Sequence, residues 1–594
     1  MKEKWLVYAK KADFAAWGRE LGVDPVIARI IRNRDVESIE EAESFLRGKL
    51  QDCHDPGNLK DADKAAEVLV SAISSGKRLR VMGDYDVDGI CSSYILSKGL
   101  SLLGARCDVA IPHRIHDGYG LSDHLIREAK EDDVELILTC DNGIAAGPQI
   151  RLAKELGIGV IVTDHHEVPF VMEKGKKKEV LPEAMAVVDP KRSDDAYPFE
   201  GICGAVVAFK LLQILSEKVR GLGWKEADAL EGAMDEFLEF AAFATVCDVM
   251  ELKDENRILV REGLARMRHS ANLGLRALME VSGVEAAELS AYHLGFVLGP
   301  CLNATGRLDT AKRALELLNA KTVTEAVSCA RDLKELNDSR KNLTLEGLEL
   351  ARQTIETEGL SKDKVLVVYL PAVHESLAGI IAGRIREQYG KPAFVLTKGE
   401  EGVKGSGRSI EAYHMYDALN ETGELITKFG GHKMAAGLSL PEENVDALRK
   451  ALNERCRLTE EDFIPVIHLD LPMPMDYATL ELAQQLQLLE PFGVGNPKPL
   501  FAQKGLTFLR GSRMGKNGQY GRFTAQTPDG RSVNLVYFGD VDVFFAWLDE
   551  TYGLGSGEAL LAGRGHFAVT VAYQLAVNTY RGVSELQFLI KAYQ

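Results

Sequence analysis

Nowhere in this chain does an apolar run approach the ~20 residues that a helix needs to cross a bilayer, so no membrane partner is expected. The opening MKEKWLVYAKKADF lacks the apolar stretch and cleavage site of a secretory signal, and a cytoplasmic location is the expectation. The nine cysteines are scattered singly without one Cys-x-x-Cys pair, and nine is an odd number. A disulfide framework and a structural zinc site are therefore set aside, and a reducing compartment fits. Also missing is any basic excess, because the net charge is −17. A generic nucleic-acid binder usually carries a positive balance. An enzyme need not, since an acidic surface can coexist with a basic channel and with metal ions that neutralise clustered carboxylates. No internal repeat and no long low-complexity tract interrupts the chain.

What is there is the composition of a soluble globular protein, 46% hydrophobic and 27% charged, over 594 residues, too many for one core. From about 60 to 220, short apolar runs alternate with amphipathic segments. RLRVMGD, CDVAIP, ELILTCD, GVIVTDHH and AMAVVDP read as strands. SSYILSKGLSLLG and QIRLAKELG read as helices between them, each closed by a glycine suited to a C-cap. Strands alternating with helices predict an α/β domain built on a parallel sheet covered on both faces. Beyond about 225 the pattern turns helical, and the proline-free VTEAVSCARDLKELNDSRKNLTLEGLELARQTIETEG predicts one long connecting helix. KVLVVYL, SLAGIIAGRIREQYG and AFVLT begin a second, smaller α/β unit, and the short strands and turns after it predict a β-barrel. The boundaries expected are an N-terminal segment over 1–60, the larger α/β domain over 61–270 and a helical connector over 271–357. The smaller α/β domain follows over 358–457 and the barrel over 458–594. EKGKKKE at 173–179 reads as a solvated loop, with a nucleic-acid contact as the alternative.

Three of the predicted strands end in ionisable side chains. RVMGDYDVDG places Asp84, Asp86 and Asp88 just past the first, LILTCDNG ends in Asp141, and VIVTDHH ends in Asp164, His165 and His166. In an open parallel sheet the carboxyl ends of the strands converge on one edge, where ligands bind. Carboxylates gathered there repel one another unless cations lie among them. Oxygen ligands joined by an imidazole suit a Mn²⁺ or Mg²⁺ type of site, and the nitrogen donor tilts the choice toward Mn²⁺. Each motif alone has a plainer reading. Asp-x-Asp-x-Asp-Gly can be a turn or a calcium loop, although the later Glu and flanking helices of an EF-hand are missing. Asp-Asn-Gly can be a turn, and Asp-His-His a polar stretch of surface. Placement on consecutive strands of one sheet favours the metal site.

DYDVDG, CDNG, TDHH and the later ATVCDVMEL occur in the order found in phosphoesterases of the DHH family, which the chain resembles. The second lobe resembles that family's DHHA1 domain through KGSGRS and FGGHKMAAGLSL. LEPFGVGNPKPLF resembles the entry to the oligonucleotide-binding (OB) barrel of RecJ exonucleases. The resemblance runs from about residue 45 onward. It implies a single-stranded-DNA-specific 5′→3′ exonuclease that hydrolyses phosphodiester bonds with two divalent metal ions and releases 5′-mononucleotides, in DNA repair and recombination. Residue by residue, it implies that Asp86 and Asp141 bind one metal while Asp88, Asp141, His165 and Asp248 bind the other, with Asp141 bridging. Asp84 opens the motif beside them, His166 faces the scissile phosphate, and Asp164 orients the neighbouring imidazoles. Asp248 follows the helical FLEFAAFATVC and is reached through the resemblance alone. Two cations about 3.5–4 Å apart would activate a water near neutral pH and offset charge in the transition state, so no covalent nucleophile is needed.

Arginine forks match phosphate oxygens in pairs. Three lie in motifs shared with the family: Arg114 in IPHRIHDGYGL, Arg307 in LNATGRL and Arg408 in GSGRS. Ser406 and its glycine-flanked backbone add donors, and Asn303 and His432 occupy motif positions that imply phosphate contact or positioning. GPCLNATGR has Cys301 and Leu302 where the family more often has Arg and Ile, which removes one expected phosphate contact. HESLAGIIAGR carries Ser376 in place of a usual glycine, a change expected to be minor. In the barrel, FLRGSRMGKNGQYGRF interleaves Arg510, Arg513, Lys516 and Arg522 with Phe508, Tyr520 and Phe523. That stretch reads either as a surface that tracks a backbone and stacks bases or as a solvated hairpin over a core. Single-stranded DNA is the expected partner, a single-strand-binding protein and a helicase are implied only by the family's role, and a monomer is expected. A DHH-family oligoribonuclease or nucleotide phosphatase is the rival reading, and the extra C-terminal barrel argues against it. A non-catalytic scaffold would have lost the acids, and a pyrophosphatase would end soon after the second lobe.

Overall fold

A computed structural model describes residues 3–594 apart from 115, 116, 119, 174, 400, 401 and 581. Two compact units divide the chain: His54–Met250 with Glu262–Pro465, and Glu3–Cys53 with Glu251–Arg261 and Val466–Gln594.

The first unit is built on a five-stranded parallel sheet in the spatial order Arg106–Ala110, Arg78–Met82, Leu136–Thr139, Gly159–Thr163, Ala186–Val188. Its inner strands have no polar face: all of Leu136–Thr139 is buried, as is Gly159–Thr163 after its glycine. Such strands need helices on both sides. Asp123–Glu131 and Gly147–Glu155 bury Leu125, Ile126, Ile150 and Ala153 against the sheet. Val87–Leu102 and Gly204–Gly221 pack on each other and on the sheet. Strand order reverses between Arg78–Met82 and Leu136–Thr139, which makes the crevice beyond their carboxyl ends the binding position of the fold.

The connecting helix runs unbroken over Val323–Thr357. It leads to a mixed sheet ordered Lys428–Gly431, Ala435–Leu440, Gly402–Arg408, Ala393–Gly399, Leu366–Tyr369. Alternation sorts its two faces. Val367, Phe394 and Leu396 meet Leu448 and Leu452, whereas Val368 and Val395 meet Ile381 and Ile385 of the helix Ala378–Tyr389.

In the second unit Phe501–Met514, Tyr520–Gln526, Ser532–Tyr537, Val583–Tyr593 and Phe567–Tyr580 form a barrel, closed because the last pairs back with the first. Residues 3–53, part of the N-terminal segment expected over 1–60, share its core. Ile27, Ile30 and Ile31 belong to one apolar cluster with Leu471, Phe501 and Phe544, and Arg34 pairs with Asp470 at 2.7 Å, both side chains buried.

At 173–179 the expected loop is part of a hairpin. Phe170–Glu173 and Lys176–Glu179 pair antiparallel around Gly175, whose φ of 78° supplies the left-handed turn position; Lys174 lies outside the described residues. Of the two readings of FLRGSRMGKNGQYGRF, the hairpin over a core is the one found, with Phe508 and Phe523 fully buried in the barrel core. A bulge between Phe508 and Arg510 leaves the ring inside while Arg510 and Arg522 point to solvent. Among the described residues no helix is long and apolar enough to cross a membrane.

A candidate metal centre and the cleft beside it

The chain leaves the strand Arg78–Met82 through Gly83 and Asp84 and enters Val87–Leu102, where Asp86 caps the helix by accepting from the Gly89 N–H at 3.1 Å. A Cβ on Gly89 would lie 2.4 Å from the Asp84 carbonyl oxygen, so only glycine permits this tight passage. Asp88, one residue into the helix, is buried and accepts from the Gly204 and Ala205 N–H groups at 2.6 and 2.8 Å. The start of Gly204–Gly221, which has no side-chain cap of its own, thus gives its first donors and its positive dipole end to Asp88. Here too glycine is required, since a Cβ on Gly204 would stand 2.8 Å from the Cβ of Asp141.

After Leu136–Thr139 the backbone turns sharply, and Asp141 adopts φ 60°, a left-handed conformation that Asp tolerates better than most residues. Thr139 Oγ1 donates to the Asn142 carbonyl at 2.7 Å, and Asn142 Nδ2 donates to the Met82 carbonyl at 3.2 Å, tying this turn to the neighbouring strand end. Gly159–Thr163 delivers Asp164, His165 and His166 to the same edge. Asp248 arrives from elsewhere, as the C-cap of the helix Met234–Cys247.

These side chains converge. His165 Nε2 lies 3.0 Å from Asp141 Oδ1, 3.5 Å from Asp88 Oδ2 and 3.7 Å from Asp248 Oδ2. Three sets have ligand atoms within 4.8 Å of one another: Asp84, Asp86 and Asp141; Asp88, His165 and Asp248; and Asp141, His165 and His166. Asp141 belongs to two of them. The donor set fits divalent cations. Both Asp84 carboxylate oxygens and His165 Nδ1 are buried without a hydrogen-bond partner among the described residues. Burial, then the neighbouring Asp86, pushes the Asp84 carboxyl up to about 8. Burial, then Asp88 and Asp86, does the same to Asp248, also to about 8. Asp86 and Asp141 are raised for the same reasons. Burial lowers His165, which keeps its imidazole in the neutral, metal-ligating form.

His166 is different. Burial works against its charge, but Asp164 Oδ1 at 2.7 Å from Nδ1 and the surrounding carboxylates overcome that and push it up to about 9. Asp164 also accepts from the backbone N–H groups of Ile144, His165 and His166. Among these contacts it bonds the His166 ring alone, not the rings of both imidazoles.

Beside the acids lies a cleft of about 420 Å³ lined by Tyr85, Arg114, Glu375, Ser376, Lys404 and Ser406, among others. The Arg114 guanidinium sits 4.7 Å over the Tyr85 ring, and Arg307 Nη1 donates to the Ser376 carbonyl at 2.9 Å. Burial, then the Arg114 charge, holds Arg307 down at about 10, and the same two causes lower Arg408. Mutual repulsion among half-buried cations marks a place where an anion is favoured. Asn303 is half-buried on the helix Gly299–Leu308, one turn before Arg307, and His432 is exposed on a turn. Of the predicted phosphate contacts only Arg114 and Ser406 are in the lining of this cleft, and Asn303, Arg307, Arg408 and His432 are not. Cys301 is buried against Asn337, whose Nδ2 donates to its sulfur at 3.4 Å. Sequence reasoning missed Tyr85, which stands between two of the acids in DYDVDG, and Lys404, which opens KGSGRS and pairs with Glu375 at 3.0 Å.

Comparison with known proteins gives the same assignment for each part. Residues 78–245 match the N-terminal domain of the DHH family, 362–458 the DHHA1 domain, and 469–592 the RecJ OB domain. A single-stranded-DNA-specific exonuclease RecJ of Dickeya dadantii is 35% identical over 95% of this chain and 95% of its own length. The RecJ of Bacillus subtilis is 37% identical over 81% of this chain, a match that spans 58% of that longer relative. The crystal structure of Thermus thermophilus RecJ in complex with Mn²⁺ is 29% identical and superposes with a TM-score of 0.80 over 100% of this chain and 79% of that one. Its Mg²⁺ complex is 27% identical and gives 0.74 over 100% and 78%. Three domain matches in the right order, near-full-length relatives and a structure that overlays the whole chain lead to one conclusion: this chain is a member of the RecJ family.

Proposed function

We propose that the chain degrades single-stranded DNA from its 5′ end, hydrolysing phosphodiester bonds with two divalent cations and releasing 5′-mononucleotides, in DNA repair and recombination. The observation that carries this reading is Tyr85. It lies between Asp84 and Asp86 of the metal centre while its ring supports Arg114 of the cleft, so the anion cleft and the acids are neighbours. An end-specific nuclease must recognise a feature that internal nucleotides lack, and a terminal phosphate offers extra charge and acceptor oxygens.

Asp86 and Asp141, with Asp84 in reach, would hold one cation, and Asp88, Asp141, His165 and Asp248 the other. When bound, the cations supply a nucleophilic water near neutral pH and neutralise charge at phosphorus. His166, kept protonated by Asp164, places a donor where negative charge accumulates on the scissile phosphate. Arg114, Arg307, Arg408 and Ser406 would hold the terminal phosphate, Asn303 would position the strand beside Arg307, and His432 would join on closure of the second lobe. A monomer working in the cytoplasm, supplied with single strands by a helicase and a single-strand-binding protein, completes this reading.

The test is single-turnover digestion, with Mn²⁺, of single-stranded DNA and RNA labelled at either end. Hydrogen bonds to charged groups contribute roughly 1.5–3 kcal/mol, so Arg408→Ala should weaken productive binding by about one to two orders of magnitude. It should also erase the preference for a 5′-phosphate over a 5′-hydroxyl. Degradation from the 3′ end, or an unchanged preference in the variant, would rule out the pocket.

A further inference from the structure

A second groove, of about 790 Å³, lies between the long helix and the helix Ala378–Tyr389. Arg340, Lys341, Arg352 and Arg384 line it against a single carboxylate, Glu387, on a chain whose net charge is −17. We propose that this groove holds the single strand beyond the nucleotide being released, its phosphates on these cations and a base on Phe296. The proposal rests on the 5′-exonuclease reading above and extends it to the path of the strand.

Three observations carry it. First, the cations are available. Lys341 is 3.5 Å from Asp338, Arg384 3.4 Å from Glu387 and Arg352 3.8 Å from Glu349, loose pairs at the surface that contribute little and exchange readily for phosphate. Arg340 Nε donates to Asn337 Oδ1 at 3.1 Å, and no carboxylate pairs with this guanidinium among the described residues. Second, Phe296 is 71% exposed and stacks on Tyr292, itself 62% exposed, ring centroids 5.3 Å apart and planes 25° off parallel. A stacked pair of rings left in water is a platform for an unstacked base, which is how sequence-tolerant single-strand sites gain affinity. Third, the Phe296 end of the groove packs against the end of the helix that carries Asp248. Phe296 belongs to Leu294–Leu298, a single turn of π-helix, a form that is frequent at functional sites. Gly295 and Gly299 pack this turn against Val246 and Cys247, the last residues before Asp248. On the other side, the Arg340 charge acts on Arg307, which donates to the carbonyl of Ser376 in the lining of the anion cleft. From there Lys341 and Arg352 lie eleven residues apart on the long helix, about 16 Å at 1.5 Å per residue. An acidic peptide would meet the same cations, but the open ring pair next to the metal centre favours nucleobases.

The test uses the full chain and 5′-phosphorylated oligothymidylates of 3, 6, 12 and 20 nucleotides, with binding read by anisotropy in chelator and hydrolysis in Mn²⁺. Wild-type affinity should rise with length. In Lys341→Glu/Arg352→Glu the 20-mer should bind at least about tenfold more weakly, and the slope of log affinity against log salt should flatten by about two. Hydrolysis of the 3-mer should stay within about twofold. Phe296→Ala, which leaves every charge in place, should weaken the 20-mer roughly fivefold or more. Unchanged 20-mer binding and salt slope would overturn the proposal. So would equal losses on 3-mer and 20-mer, or a charge-reversed variant that loses only an Asp/Glu-rich peptide. Wild-type protein that binds the length series as described but cuts from the 3′ end would sink the functional reading and leave the groove standing.

Discussion

Asp164→Asn is the substitution that separates the two histidines. The Asp164 carboxylate is buried and receives only donors: the Ile144 N–H on Oδ2 at 2.9 Å, and on Oδ1 the His165 and His166 N–H groups at 2.8 and 3.2 Å with His166 Nδ1 at 2.7 Å. An asparagine offers one acceptor and one donor. With its oxygen kept in the Oδ1 place, its NH₂ faces the Ile144 N–H, leaving two buried donors opposed at a cost of about 1–3 kcal/mol in stability. The second loss is charge. Without the carboxylate, His166 should fall from about 9 toward its ordinary 6.5. Discounted for a ring that is 42% exposed, that weakens the imidazolium by roughly 1–2 kcal/mol, or about five- to thirtyfold in rate at pH 8. Metal affinity should barely move, because the neighbouring His165 ring donates no hydrogen bond to Asp164 and its Nδ1 has no partner among the described residues. The assay is kcat at saturating Mn²⁺ alongside calorimetric Mn²⁺ titration and a thermal melt. A variant that binds Mn²⁺ tenfold more weakly yet keeps its kcat would refute the reasoning, since Asp164 would then act through His165.

Asp141→Asn keeps a residue that tolerates φ 60° but removes the charge shared by two ligand sets, and turnover should fall by more than about a hundredfold; full activity in chelator-treated wild-type protein would contradict a metal-dependent reaction altogether. Glu239 is 4% exposed, and burial, then the charge of Glu236, pushes its carboxyl up from 4.5 to about 7. Its contribution to stability is therefore complete below pH 4.5 and lost as pH rises through about 7, so Glu239→Gln should gain up to roughly 3 kcal/mol relative to wild type at pH 8 and nothing at pH 4.5. Melting temperatures at the two pH values check the sign. Deleting 466–594 should uncover Ile27, Ile30 and Ile31, now fully buried, and make the shortened chain aggregate; a soluble monomer of 1–465 in light scattering would argue against the shared core.

How much of this could be read from the chain depends on the range of the physics involved. Leu136–Thr139 and Gly159–Thr163 announce themselves because a strand covered on both sides must be apolar throughout, a local property. Asp86, Asp141 and His165 follow one step later, because parallel strands send their carboxyl ends to one edge whatever the helices do. Asp248 obeys no such rule: it reaches the edge because Met234–Cys247 packs against Val87–Leu102, and nothing in FLEFAAFATVC states that packing. The two readings of Phe523 stay open in the sequence for a local reason, since alternation shows that one face of a strand is buried without saying which. Arg34 and Asp470 were invisible as partners because 436 residues separate them. Net charge misleads in the same way. It averages over a whole surface, whereas a phosphate responds to the field within a Debye length or so, about 10 Å at 0.1 M salt. Arg114, Arg340 and Arg408 each act on the charge of Arg307. An acidic protein can therefore bind a polyanion where its arginines gather, whatever the sign of its charge summed over the whole surface.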